Sequence, residues 1–326
     1  MKATAAAKVI QSQFAPIIGQ TNAKDRLKDV CLSPIVEDGY FAPLLIIAPV
    51  GTGKTRIIRA LKAILKETLA RKVINFESGA EMGTPLSFFE DVLIPYVHDK
   101  DCVMIVDELH KASKGIMSTI HDMLDITVER GVKVVKKADY ECVINLNRHA
   151  FIFATSEVDK LDPALLSRCE RIDLTLYTDD EMEQILFQGL EKSGITFNEN
   201  SLRAIAECNR GSARDVVKWY NAINRHVAIA EKSTINKKDV AEIIRKQEMF
   251  PKGVSKCELQ TLLHLEKAGE LQMKELANRN LCTPSEQNAN ERYLFQKGLI
   301  TVDVKRKLTV AGREYLVTLR KEGFIE

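Results

Sequence analysis

The stretch Ala48-Pro49-Val50-Gly51-Thr52-Gly53-Lys54-Thr55 decides the fold of the chain's first half. It follows an apolar run of strand length, Leu44 to Ala48, and precedes a helical pattern from Arg56 to Arg71. Strand, Gly-rich turn and helix in that order make a phosphate-binding loop. Gly51 and Gly53 carry no side chain to keep backbone N–H groups away from phosphate oxygens. Lys54 brings a cation to the β- and γ-phosphates, the Thr55 hydroxyl is a Mg²⁺ ligand, and the helix N-terminus adds its dipole. Pro49, Thr52 and Arg56, within or beside the loop, complete the expected nucleotide contacts. The loop departs from G-x-x-x-x-G-K-[ST] at its first position, where Ala48 stands for Gly. A small residue is retained there, so the loop is expected to form.

A second signature is Val103-Met104-Ile105-Val106-Asp107-Glu108. Four apolar residues make a strand and set Asp107 at its tip, beside the loop, where its carboxylate holds Mg²⁺ through water. Glu108 is then placed to polarise an attacking water, the task of a catalytic base in phosphoryl transfer. Thr155, ending the run Phe151-Ile152-Phe153-Ala154, suits the orienting of that water near the γ-phosphate, with Ser156 as second choice. Arg168, in Leu165-Leu166-Ser167-Arg168-Cys169, can be an arginine finger acting on a neighbouring subunit's nucleotide. Arg214, opening a helix after Gly211-Ser212-Ala213, can reach the γ-phosphate of its own subunit. Read alone, either arginine could also be a solvated surface charge. The expected ligands are ATP and Mg²⁺, with Thr55 and Asp107 on the metal.

Outward from these motifs, the first half alternates short apolar runs with helical patterns, as a parallel sheet wrapped by helices requires. Candidate strands are Leu44–Ala48, Lys72–Phe76, Val103–Val106, Ala150–Ala154 and Ile172–Leu174, which read as continuous Val, Ile and Leu because both faces are covered. From Thr178-Asp179-Asp180-Glu181, a good helix start, to about Gln247 only helical periodicity appears. Met249-Phe250-Pro251-Lys252-Gly253 reads as a linker. After it come three helical stretches, then strand candidates Leu299–Asp303 and Lys307–Val310 flanking Lys305-Arg306-Lys307, the order of a winged helix with a basic wing. The expected architecture is an α/β P-loop domain over residues 1–177, an all-α lid over 178–250 and a winged helix over 251–326.

Composition sets limits on the rest. The 326 residues, 45% hydrophobic and 28% charged, suit a globular protein of two or three domains. A net charge of +2 leaves nucleic-acid contact to local patches. No apolar run approaches the roughly 20 residues that span a membrane, and no apolar signal-peptide core follows Met1-Lys2-Ala3-Thr4. Seven scattered cysteines, without a CxxC pair, favour reduced thiols and a cytoplasmic location.

The segments Ile17-Ile18-Gly19-Gln20, loop, strand-end acids, Thr155, Ser167-Arg168-Cys169 and Gly211 to Arg214, in that order, resemble an AAA+ ATPase. Ser167-Arg168-Cys169 resembles the SRC motif of clamp loaders. Most other features resemble the RuvB family of Holliday-junction branch-migration motors, over nearly the whole chain. Asp107-Glu108-Leu109-His110-Lys111 is similar to that family's DEIHR segment, and Phe76-Glu77-Ser78-Gly79 to its TSG stretch. An extra segment near 126–148 occupies the position of the family's β-hairpin. Leu174-Thr175-Leu176-Tyr177-Thr178 resembles LEFYT, and Glu291-Arg292-Tyr293-Leu294-Phe295-Gln296-Lys297-Gly298-Leu299-Ile300 resembles EPYLIQQGFI.

This resemblance implies that Arg168 is a finger in trans and Arg214 a second sensor. It implies that Tyr177 lies against adenine, with Ile17 and Ile18 also at the nucleotide. It implies a hexameric ring closed by head-to-tail contacts. A junction-binding partner protein would be held through the hairpin, where Lys133, Lys136 and Lys137 replace the family's apolar tip. Lys305, Arg306 and Lys307 would grip the phosphates of duplex or four-way DNA. The expected function is an ATP-dependent DNA motor driving branch migration. The alternative is a clamp-loader-like or nucleotide-switched ATPase that remodels protein–DNA complexes.

Overall fold

A computed structural model describes residues 3–36, 41–69, 71–125, 132–198 and 201–326, with only the backbone of Lys192. The chain divides into two compact units, Met1–Tyr177 with Ser212–Arg214, and Thr178–Gly211 with Asp215–Glu326. The helical region and the C-terminal module, expected as separate domains, fall together in the second.

The first unit runs α1 (Ala3–Phe14), α2 (Thr21–Val36), β1 (Leu44–Ile47), α3 (Lys54–Leu69), β2 (Lys72–Phe76), α4 (Pro85–Phe88), β3 (Cys102–Val106) and α5 (Lys114–Leu124). It continues with β4 (Val132–Lys137), β5 (Tyr140–Asn145), β6 (His149–Thr155), α6 (Pro163–Leu166) and β7 (Glu170–Asp173). Five strands form one parallel sheet in the order β2-β3-β6-β1-β7. Every residue of β1, β3 and β6 is buried, because alternate side chains enter separate cores on the two faces. Leu44, Ile46, Val103, Ile105 and Ile152 pack with Ile57, Leu61 and Ile64 of α3, whereas Leu45, Met104, Val106, Phe151 and Phe153 pack with Phe88, Ile116 and Ile120. Truncating Phe151 to Ala would cost about 3–5 kcal/mol, as for any buried ring that leaves a cavity.

One expectation is corrected by the strand order. β3, with Asp107 at its tip, does not lie beside the loop strand β1; β6 runs between them. The register Leu44↔Ile152 and Ile105↔Ile152 therefore carries the end of β6, at Thr155 and Ser156, between the phosphate loop and the acidic pair.

The extra segment is a hairpin, β4 against β5, with Val135 opposite Cys142. Positions 126–131 of it lie outside the described residues. Val135, Cys142 and Ile144 are buried, and the other face carries Lys136, ion-paired with Glu141 across the strands. Lys133 pairs with Asp125 at 2.9 Å.

The second unit begins with α7 (Asp179–Leu190), β8 (Thr196–Phe197), α8 (Ser201–Cys208), α9 (Val216–Ala230), β9 (Thr234–Ile235) and α10 (Lys237–Lys246). A full capping box at Thr178 and Glu181 starts α7, as its sequence requires. This region is helical except for the two-residue parallel pair β8–β9. β10 (Met249–Phe250) and β11 (Val254–Ser255) then enclose the segment read as a linker. That segment is clasped. Arg210 donates to both carboxylate oxygens of buried Glu258, at 3.0 and 2.5 Å, and to the Gly253 carbonyl at 2.8 Å. Tyr315 donates to the Pro251 carbonyl at 2.7 Å.

The C-terminal module comprises α11 (Lys256–Ala268), β12 (Glu270–Leu271), α12 (Met273–Arg279), α13 (Pro284–Gln296), β13 (Ile300–Val302), β14 (Arg306–Leu308) and α14 (Val310–Lys321). Three helices and an antiparallel sheet in the order β12-β14-β13 make a winged helix. Its core gathers Leu259, Leu262, Leu276, Leu294, Leu308 and Leu316.

Candidate functional site

The phosphate loop, the ends of β3 and β6, and Ala213 with Arg214 line an open cavity of about 700 Å³. Its lining includes Ala48, Pro49, Gly51, Gly53, Lys54, Thr55, Arg56, Asp107, Glu108, Ser156 and Arg214, all in the first unit. Gly51 and Gly53 take φ of 87° and 89°, a region that L side chains avoid. A side chain at Gly51 would strike Ser212, and one at Gly53 would strike the Tyr177 hydroxyl. Both glycines are therefore demanded twice, by backbone angle and by space. Ala48 makes no such demand: it is absent from the residues with positive φ, and its N–H bonds to the Thr155 carbonyl at 2.9 Å. An alanine is accordingly tolerated at the loop's first position.

Loop and neighbours are tied together. Thr52 is fully buried and donates its hydroxyl to the Pro49 carbonyl at 2.7 Å. Gln20 reaches the Thr52 carbonyl at 3.2 Å and the Thr175 carbonyl at 2.7 Å, and accepts from the Thr175 N–H at 3.1 Å. The Ala213 N–H bonds to the Gly51 carbonyl at 2.8 Å, which sets Arg214 at the cavity.

Charge in the cavity favours a polyanion. Lys54, Arg56, Arg59 and Arg214 line it against two carboxylates, Asp107 and Glu108. Lys54 lies 2.6 Å from Asp107 and forms a shorter ion pair with Glu108. Ser156 donates to the other Glu108 oxygen at 2.9 Å. Burial pushes the Glu108 carboxyl up, but hydrogen bonds from Lys54 and Ser156 outweigh it and hold the group below the ordinary range. An ionised, oriented carboxylate facing a polyanion cradle can accept a proton from water.

Several sequence expectations shift here. Thr155 is fully buried and does not line the cavity; its hydroxyl is 2.9 Å from His110 Nδ1. Successive residues of a strand point to opposite sides, so Ser156 takes the cavity-facing position expected of Thr155. Ile17 is buried in the core below the sheet, and neither it nor half-buried Ile18 lines the cavity. Tyr177 is buried against Gly53 without lining the cavity. Arg168 also stands outside it, donating to the Ala164 carbonyl at 2.7 Å and pairing with Asp125 at 3.2 Å. Arg59 was missed; it follows Thr55 by four residues, one turn along the helix that opens at the loop, and that spacing could have shown it.

The wing needs a sharper correction. Arg306, expected on DNA, is 8% exposed and bonds to buried Glu291 at 2.9 Å. Lys305 and Lys307 are exposed, and both pair with Glu270, the latter at 2.7 Å.

Parallel sheet, glycine cradle and strand-end acids define a P-loop nucleotide site on an AAA ATPase domain. Residues 44–177 match the family described as "ATPase family associated with various cellular activities (AAA)". As a whole the chain resembles RuvB. It is 21% identical over 311 residues to the Holliday junction branch migration complex subunit RuvB of Fervidobacterium nodosum, covering 92% of this chain and 86% of that one. The solved Thermotoga maritima RuvB Holliday junction branch migration motor superposes with a TM-score of 0.65 at 18% identity, over 92% of this chain and 95% of that one. A Lon protease of Leptospira interrogans is 25% identical over 272 residues, but this chain spans only 30% of its length. No helix among the described residues is long and apolar enough to cross a membrane.

Proposed function

We propose that this chain is an ATP-driven DNA motor of RuvB type. The observation that carries the proposal is one chain holding both a cation-lined cavity with an ionised Glu108 and a winged-helix module, in a chain whose fold resembles that of RuvB over 92% of its length. Lys54, Arg56 and Arg214 would hold the ATP phosphates, and Thr55 and Asp107 a Mg²⁺ ion, which supplies charge neutralisation at the leaving phosphate. Glu108 orients the attacking water, with Ser156 keeping its carboxylate in place. Arg168, outside its own cavity and held by Ala164 and Asp125, would turn to serve a neighbouring subunit in a head-to-tail ring. Lys305 and Lys307 hold DNA phosphates, and the β4–β5 hairpin meets a partner protein.

Turnover with no DNA, with linear duplex and with a four-way junction, read beside strand exchange, tests this. Stimulation by DNA together with junction dissociation is expected; ATPase activity indifferent to both DNAs would turn the reading toward protein remodelling. Mixing Lys54→Ala with Arg168→Ala subunits tests the shared site, since only a finger acting in trans lets the two restore activity. Ser167-Arg168-Cys169 favours a second reading, a clamp-loader-like ATPase. Stimulation by primed single-stranded ends, without junction dissociation, would select it.

A further inference from the structure

Behind Glu108 lies a buried cluster that the nucleotide site itself does not use. Glu108 takes φ 46° and ψ 49°, a left-handed conformation uncommon for a residue with a side chain. Such strain persists where the surroundings over-determine it, and it often marks a working site. The kink turns the chain back on itself, and buried Leu109 anchors the short helical turn Leu109–Lys111. His110 is thereby carried underneath Glu108, where its side chain is 4% exposed. The ring touches three groups. Nδ1 is 2.9 Å from Thr155 Oγ1 and 3.4 Å from Glu108 Oε2, and Nε2 is 3.0 Å from Glu157 Oε1.

Donor and acceptor chemistry orders these contacts. An ionised carboxylate only accepts, so Nε2 carries the proton given to Glu157. Glu157 is itself held by Lys160 at 2.5 Å, which fixes that end of the ring. Thr155 Oγ1 accepts from the Glu157 N–H at 3.0 Å, which ties the hydroxyl that meets Nδ1 to the same acidic residue. The ring edge rests against the Glu108 carboxylate at 3.4 Å, and Ser156 holds the same oxygen from the cavity side.

We propose that His110 is a positioning residue for Glu108, and that Thr155 acts on the site through it. Thr155 lines no part of the cavity, yet one ring separates it from the carboxylate that does. Thr155, His110 and Glu157 thus form a wedge between the end of β6 and the acidic turn after β3. Movement of the β6 end is converted by this wedge into movement of Glu108. A histidine that merely filled the core would need no such set of directed bonds. The inference rests on the ATPase reading above.

The test is a double-mutant cycle on the full chain with His110→Ala, Thr155→Val and both together. The readouts are kcat at saturating ATP and Kd for a fluorescent ATP analogue. We expect either single change to lower kcat about tenfold or more while Kd stays within twofold, and the double variant to be no worse than the worse single one. His110→Asn, which keeps a polar group at the Nδ1 position, should recover part of the rate. Glu157→Gln, at a half-exposed position, checks the same wedge should His110→Ala fail to fold; it should lower kcat several-fold at constant Kd. Additive effects, a kcat unchanged by His110→Ala, or affinity falling in parallel with rate would overturn the proposal. Active wild type with indifferent variants sinks the wedge alone, whereas inactive wild type sinks the ATPase reading with it.

Discussion

Two basic clusters occur in this chain, one around the phosphate loop and one on the wing, and they meet different fates. At the loop, Lys54 rests on Asp107 and Glu108, but Arg56, Arg59 and Arg214 face an open cavity and have no carboxylate partner among the described residues. On the wing each cation meets an acid: Arg306 has Glu291, and Lys305 and Lys307 share Glu270. Two clusters of positive charge thus give an open anion site in one place and a largely paired one in the other. Charge counts along a chain say little until partners are placed.

The largest expected effect lies at the loop. Glu108→Gln keeps the shape of the side chain and its bond from Ser156, but removes the charge that accepts a proton. General-base contributions of about 10²–10⁴ in rate are usual, so kcat should fall by that order while ATP affinity holds. Single-turnover hydrolysis and equilibrium binding, measured together, decide it. A variant that binds and hydrolyses normally would remove Glu108 from the chemistry.

Next in size is the buried pair on the wing. Arg306→Ala leaves Glu291, 2% exposed, without its cation, and breaking such a pair costs about 3–5 kcal/mol. The melting temperature of the variant should drop clearly. Replacing both partners by Met and Leu should recover most of that loss, because two desolvated charges are removed together. Well below its unfolding temperature, Arg306→Ala should bind DNA with an unchanged salt dependence. Lys305→Ala with Lys307→Ala should instead lower the logarithmic salt slope by about 2, one unit for each phosphate that is no longer neutralised. If Arg306→Ala flattens the slope as much, the structural assignment of that side chain is wrong.

Much of this was readable from the sequence where the cause is local. Gly51, Gly53, Lys54 and Thr55 announce the loop because a phosphate cradle demands those residue types at that spacing. The fully buried strands announce themselves as runs of Val, Ile and Leu. Two N-terminal helices were missed: α1 buries only Ala6, Ile10 and Phe14, four residues apart, and Pro34 obscures α2. The closing helix α14 was also passed over. Gly312 at its start and polar Arg313-Glu314 hide its buried stripe, Gly312, Tyr315, Leu316 and Leu319. Which of Thr155 and Ser156 faces the cavity depends on strand alternation about a neighbour, and so on the order β3-β6-β1, which no local pattern gives. The fate of Arg306 was legible in principle. Three consecutive basic residues entering a strand cannot all face outward, so the middle one had to turn inward and find an acid.

The smallest expected effect tests the other half of the wing. Glu270 is held well below the ordinary carboxylate range, at about 2, first by its bond from Lys305 and then by that from Lys307. A depressed carboxyl contributes its pairing above its unfolded pKa, and loses it as pH falls from about 4.5 through the folded value. At any pH where the motor would work the acid is therefore fully charged, and both lysines share it with whatever anion approaches. Glu270→Gln releases them without changing shape. Exposed pairs of this kind are weak, so DNA affinity should rise only about two- to fivefold at low salt, with the gain fading as salt is raised. Loss of affinity would mean that Glu270 orients the lysines rather than restraining them. No change, in a protein whose Lys305 and Lys307 also tolerate Ala, would place the DNA contact elsewhere on the module, with exposed Arg292 of α13 the first residue to replace.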